Sequence, residues 1–75
     1  MIRLLLFAQL AERAGAEEMA LPPAPTPGAL LAARSELAFV RPAGARVAVN
    51  RTWSHWDAPL ADGDEVAFLP PTTAL

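Results

Sequence analysis

The segment from Ile2 to Ala8 is apolar almost throughout, and Arg3 is its one charged residue. A strand with one face in water alternates apolar and polar side chains, whereas a strand covered on both faces is apolar along its length. The segment therefore predicts a strand in the centre of a sheet or beside a parallel neighbour. This requirement constrains the fold more than any other feature of the sequence, because the rest of the chain must cover both faces.

Helix and strand signals alternate after this first strand. Gln9 to Ala14 predicts a short helix that ends at Gly15, because glycine suits a left-handed C-cap. Thr26-Pro27 predicts the start of the principal helix, since threonine caps helix N-termini and proline fits the first helical position. That helix is expected to run from Gly28 to about Leu37. The other predicted strands are Glu17 to Leu21, Arg46 to Val49, a short return strand at Thr52 and Trp53 after an Asn50-Arg51 turn, and Glu65 to Leu69 after the Asp62-Gly63 turn.

These elements predict one small α+β domain in which a single principal helix packs across a sheet. With 75 residues, we expect residues 1–75 to form one domain, with residues 70–75 as an extended tail. Pro70-Pro71 cannot continue a strand ladder and favours a polyproline conformation. At about 3 Å per residue, such a tail would project roughly 18 Å from the sheet.

The composition excludes several kinds of chemistry. The chain has no cysteine, and all six of its cations are arginine, so disulfide, thiolate-zinc and lysine mechanisms are ruled out. Its formal net charge is −2 and it shows no basic patch, so we do not expect it to bind nucleic acid. No segment reaches the roughly 20 apolar residues of a membrane span. The apolar N-terminal run is too short for a signal peptide, so we expect a cytoplasmic protein.

Catalytic side chains are scarce. His55 is the only histidine, and it has no cysteine or carboxylate at a metal-ligand spacing. A triad of Ser54, His55 and Asp57 is not expected, because the three groups must converge from separate segments. The carboxylates at Glu17-Glu18 and in Asp62 to Glu65 flank predicted turns, which favours a structural role for them. We therefore predict no catalytic residue and no metal site.

The apolar side chains on the second face of the sheet indicate a docking surface. If Val66 and Phe68 face the core, alternation places Leu69 on the opposite face, and the same argument applies to Phe7 on the first strand. Phe7, Trp53 and Leu69 could then form one apolar patch, and such a patch on a small protein usually binds a partner. The alternative is burial beneath the short helix. Of Trp53 and Trp56, we expect Trp53 to be the exposed one.

Several segments together resemble the MoaD family of small, sulfur-carrying molybdopterin synthase subunits. The resemblance runs nearly the whole length of the chain and keeps the spacing, and its closing block is the most specific part. The sister ThiS carriers are similar in outline but match these segments less well. The segments are Phe7-Ala8 with Glu12 and Gly15, Thr26 at the helix start, Val47-Ala48-Val49-Asn50, and Leu60-Ala61-Asp62-Gly63-Asp64-Glu65-Val66-Ala67-Phe68-Leu69-Pro70-Pro71.

The resemblance implies a β-grasp, ubiquitin-like fold with a mixed sheet of four to five strands. It also implies that a MoeB-like enzyme uses ATP to adenylate the C-terminal carboxylate, which then becomes a thiocarboxylate. The tail would enter a MoaE-like large subunit and donate sulfur to the pterin precursor of molybdopterin, while the carrier itself binds no cofactor. By position, Thr73, Ala74 and Leu75 would form the carrier tail. The residues that bind the partner would be Phe7, Trp53, Leu69, Pro70 and Pro71.

The sequence departs from this family at its end, where Ala74-Leu75 stands in place of Gly-Gly. Glycine suits a tail that passes through narrow channels, because a Cβ atom would meet the walls. Three interpretations of this end stay open: a sulfur carrier with an altered tail, a ubiquitin-like module that docks without transferring sulfur, and a sequence altered or ended differently from the working gene product. For the function as a whole, a ThiS-like carrier is a further alternative.

Overall fold

The computed structural model describes residues 1–72, which form a mixed five-stranded sheet in the order β2-β1-β5-β3-β4. Neighbouring β1 and β5 are parallel, and the other pairs are antiparallel. The prediction that the first apolar segment is an interior strand with a parallel neighbour is therefore confirmed, as is the predicted α+β, β-grasp architecture. The strands are β1 Ile2–Leu6, β2 Glu18–Leu21, β3 Arg46–Val49, β4 Thr52–Trp53 and β5 Glu65–Leu69, and the helices are α1 Gln9–Ala14, α2 Pro27–Ala32 and a 3₁₀ helix at Ser35–Leu37.

Both α-helices pack on one face of the sheet and enclose the main core. Alternating residues of β1 and β5 point into this core, and the helices contribute Leu10, Leu30 and Leu31. No helix among residues 1–72 is long and apolar enough to cross a membrane. Within the described part of the chain, no helix packs on the opposite face of the sheet, which we call the outer face. Its apolar side chains form a second, smaller cluster.

The principal helix α2 begins where the sequence predicted and ends earlier. The Thr26 hydroxyl accepts a hydrogen bond from the Ala29 N–H at 3.0 Å, and Pro27 occupies the first turn. The prediction that the helix reaches Leu37 is wrong, because α2 ends at Ala32 and Arg34 is extended, with φ −128° and ψ 101°. The following 3₁₀ helix carries Leu37 into the core, where it is fully buried.

The first strand is also shorter than predicted, and the reason bears on the candidate site. β1 ends at Leu6, because Ala8 takes φ 51° and ψ −130°, which turns the chain out of the sheet and into α1. Few residues other than glycine adopt a positive φ, so Ala8 stores backbone strain. This turn leaves Phe7 outside the ladder at the end of β1.

Candidate docking face

The outer face carries an apolar surface that crosses the middle of the sheet. Leu5 pairs with Ala67, Ala67 with Ala48, and Ala48 with Trp53, so one row of apolar side chains spans four strands. The same alternation places Leu69 on this face, as the sequence predicted. We define the docking face as Leu5, Phe7, Ala48, Trp53, Ala67 and Leu69.

Phe7 is the most exposed large side chain of the docking face, with 42% of its surface accessible. Leu6 pairs with Phe68 in the parallel ladder, so Phe7 and Leu69 follow at the same edge of the sheet. Parallel strands finish at a common edge, and the chain continues into Pro70 from that edge. The docking face and the start of the C-terminal segment therefore lie side by side.

The two tryptophans lie on opposite faces of the sheet, and both are partly buried. Trp56 packs against the main core, with its ring centroid 5.3 Å from that of Phe68. Trp53 packs against the outer cluster, and the Arg46 guanidinium lies 3.9 Å from the centre of its ring. The prediction that Trp53 is the exposed tryptophan is therefore wrong, because neighbours on the outer face cover part of Trp53 and leave it partly buried, like Trp56. The alternative that the short helix buries the patch is also wrong, since α1 packs on the other face.

The last residues of the docking prediction need correction. Leu69 is only 2% exposed, because it packs in the outer cluster with Leu5 and Trp53 beside it. Pro70 is also buried, and the chain turns at Pro71 and Thr72, so residues 70–72 do not leave the sheet as a straight polyproline segment. Leu69 and Pro70 are therefore buried and offer a partner little surface. The predicted carrier residues Thr73, Ala74 and Leu75 lie outside the described residues.

A shallow depression of about 450 Å³ lies beside the docking face, lined by apolar and charged side chains. Its apolar wall includes Leu5, Phe7 and Ala67, and its charged wall is formed by Arg51 and Glu65. Glu65 also pairs with Arg3 at 3.1 Å, and Arg3 contacts Glu18 at 2.8 Å. The hydrogen bond from Glu18 raises the pKa of Arg3 above its ordinary value. The outer face thus has an apolar half at the Phe7 edge and a charged half near the start of β5.

A hydrogen-bonded turn fixes the start of β5, and sequence reasoning missed its central residue. The Asn50 side chain donates to Asp64 at 3.1 Å and accepts from the Glu65 N–H at 3.0 Å. The Asp64 carboxylate also accepts from the Ala61 N–H, and these two bonds, the backbone one first, hold the pKa of Asp64 below its usual value. The sequence indicated only that asparagine tolerates the left-handed region, which φ 49° at Asn50 confirms.

Residues 1–72 show no arrangement typical of a catalytic centre. His55 is exposed and makes no side-chain hydrogen bond within this part of the chain, to Ser54, Asp57 or any other residue. Among the same residues, no group of three or more histidine, cysteine, aspartate or glutamate side chains is placed to hold a metal ion.

Comparison with known proteins agrees with this description. The sequence model of the ThiS family matches residues 4–73. The chain is 44% identical to the molybdopterin synthase sulfur carrier subunit of Escherichia coli K12, over 97% of this chain and 98% of that protein. The crystal structure of SAMP1 from Haloferax volcanii has a TM-score of 0.75 and 28% identity, covering 97% of both chains. A putative molybdopterin converting factor subunit 1 from Pyrococcus furiosus has a TM-score of 0.73 and 26% identity, covering 95% of this chain and 97% of that one.

Proposed function

The chain belongs to the ThiS family, and from this premise we propose that it is the small, sulfur-carrying subunit of a molybdopterin synthase. The 44% identity to a molybdopterin synthase sulfur carrier subunit supports this choice within the family over a ThiS-like carrier. The observation that carries the proposal is the position of the docking face. Its exposed Phe7 lies at the edge of the sheet from which β5 continues into the C-terminal segment.

The proposed chemistry takes place on the carboxylate that ends the segment after Pro71. That carboxylate attacks the α-phosphate of ATP on a MoeB-like partner, and pyrophosphate leaves. A sulfur nucleophile then attacks the acyl adenylate at its carbonyl carbon, AMP leaves, and a thiocarboxylate forms. In this proposal the chain supplies no acid or base to these steps.

The proposed receiving partner is a MoaE-like large subunit that covers the docking face. Apolar surface gains free energy when it leaves water, and exposed aromatic side chains are frequent anchors of protein interfaces. Phe7 is such a side chain, and Trp53 is a part-buried aromatic side chain elsewhere on the same face. Docking would place the C-terminal segment at the partner's active site, where the thiocarboxylate sulfur passes to the pterin precursor of molybdopterin.

One feature favours a second candidate, a docking module that binds the same partner without transferring sulfur. Positions 74 and 75 hold Ala and Leu where the family motif has Gly-Gly. A leucine next to the reacting carboxylate would crowd a nucleophile that approaches it. The docking face is the same in both candidates, so sulfur loading distinguishes them.

The test is intact-mass spectrometry after incubation with a MoeB-like activating enzyme, ATP and a sulfur source. The matched control is the Ala74→Gly/Leu75→Gly variant, which restores the family's Gly-Gly. A carrier gains one sulfur in place of one oxygen, and this chain is expected to do so. If only the control variant gains sulfur, the carrier function is refuted and the docking module is supported.

A further inference from the structure

Two consecutive prolines follow β5, which lies between β1 and β3 in the sheet. Successive residues of a strand direct their backbone N–H and C=O groups to opposite sides. The Asp64 C=O accepts from the Arg3 N–H of β1 at 3.1 Å. The Glu65 C=O accepts from the Asn50 N–H, just after β3, at 2.8 Å. Along β5, even-numbered positions therefore face β1 and odd-numbered positions face β3.

Pro70 ends the ladder on the β1 side. Leu6 pairs with Phe68 in the parallel register, so an N–H at position 70 would donate to the Phe7 C=O. Proline has no N–H to donate. The Phe7 C=O instead accepts from the Leu10 N–H at 3.1 Å, in the turn that leads into α1. A bond within the turn thus takes the place of the next bond between β5 and β1.

Pro71 ends the ladder on the β3 side. Arg46 pairs with Leu69, so the next hydrogen-bonded pair of this antiparallel ladder would join positions 71 and 44. Pro71 has no N–H, and the Gly44 N–H donates to the Arg41 C=O at 3.0 Å. The two segments still lie close together, since a Cβ atom added to Gly44 would lie 3.8 Å from Pro71 Cγ. The missing N–H of proline, and not distance, therefore ends the ladder here.

A chain end that pairs with its own sheet is not free to enter the active site of a partner. We propose that Pro70 and Pro71 are positioning residues that keep the C-terminal segment from pairing with β1 and β3, so that its carboxylate stays available for sulfur loading. Adjacent prolines are needed because each one blocks one side only. This inference rests on the proposed function and assigns a task to two residues that take no part in the chemistry.

The test variant is Pro70→Val/Pro71→Val, which returns an N–H to each side and introduces a residue that favours strands. The matched control carries N-methylvaline at both positions, so it has the valine side chains and still lacks the two N–H groups. Both chains are made by chemical synthesis, and their folding is checked by circular dichroism. The first measurement is amide hydrogen exchange by NMR at positions 70 and 71. We expect about tenfold slower exchange in the valine variant than in an unstructured peptide of the same sequence.

The second measurement is the rate of sulfur loading as a function of carrier concentration, followed by intact-mass spectrometry with a MoeB-like enzyme, ATP and a sulfur source. Only the unpaired fraction of the valine variant can bind the enzyme. Its concentration for half-maximal rate should therefore rise about tenfold, while the rate at saturation is unchanged. The N-methylvaline control should load like the parent chain, because it cannot form the added bonds.

Three results would overturn the inference: amides at positions 70 and 71 that exchange without protection, a valine variant that loads at the same concentrations as the parent chain, or an equal loss in the N-methylvaline control. The last result would assign the effect to the side chains. If the parent chain itself gains no sulfur, the proposed function fails. Amide protection in the valine variant would still support the assignment of the two prolines as the residues that end the ladder, and its absence would still overturn it.

Discussion

Replacing Phe7 with alanine tests the docking face with little effect on the fold. Phe7 is 42% exposed. A phenylalanine side chain offers on the order of 200 Å², so about 80 Å² of it remains for a partner to bury. At about 25 cal/mol per Å², this burial contributes about 2 kcal/mol to binding, or roughly a 30-fold change in Kd. We expect calorimetry with a MoaE-like subunit to show a loss of this size for Phe7→Ala.

The matched control is Phe39→Ala, which removes a phenylalanine ring on the opposite side of the sheet, where Phe39 packs on the main core beneath Arg13. Phe39→Ala should lower the midpoint of thermal unfolding and leave Kd unchanged at a temperature where both proteins are folded. If Phe7→Ala binds the large subunit as tightly as the parent chain does, the docking face is wrong. Equal losses for the two variants would also contradict it, because a general loss of stability would then explain both.

Three predictions concern the frame that holds this face. Ala8→Gly should raise the midpoint of thermal unfolding, because glycine relieves the backbone strain at φ 51°. After the greater entropy of glycine in the unfolded chain is subtracted, the free energy of unfolding should rise by about 1 kcal/mol. A lower midpoint would contradict the assigned strain. Thr26→Ala should lower the free energy of unfolding, measured in urea, by about 1 kcal/mol, because it removes the 3.0 Å N-cap hydrogen bond. Thr26→Ser should retain most of this stability, because serine keeps the hydroxyl. The pKa of Asp64 is lower in the folded protein than its ordinary 3.8, so its stabilisation is complete above that pH and is lost as the pH falls through the folded value. Asp64→Asn should therefore make the acid side of a stability profile shallower, and an unchanged acid slope would refute this.

The sequence correctly predicted structural features that depend on residues close together in the chain. The cap at Thr26-Pro27 and the Asn50-Arg51 turn each depend on a few local groups, and both are confirmed. The continuous apolar run of β1 indicated its place beside a parallel partner, which is confirmed. The expectation that both faces of β1 are covered is wrong, because on the outer face Arg3 is exposed and Leu5 is only part-buried. Asp64, one of the carboxylates expected to serve a turn, accepts a hydrogen bond from the Ala61 N–H.

The sequence predictions that were wrong or missing share one cause: each depends on contacts between segments that are distant in the sequence. Alternation placed Leu69 on the outer face correctly, but could not show that neighbours there, including Trp53, would bury it. The helix signal continued to Leu37, but the core requires that residue in a tighter turn after Arg34 breaks the helix. The open groove lined by residues of α1, β1 and β2 has no signal in the sequence, because three separate segments form it together.

The central claim is that this chain delivers sulfur to a large subunit. The direct measurement mixes the thiocarboxylated chain with a MoaE-like subunit and the pterin precursor, and follows the intact mass of the chain together with the formation of molybdopterin. The account predicts that the thiocarboxylate returns to the carboxylate as molybdopterin forms, and that Phe7→Ala slows both changes together. A thiocarboxylate that persists beside a bound large subunit and its precursor would contradict the account.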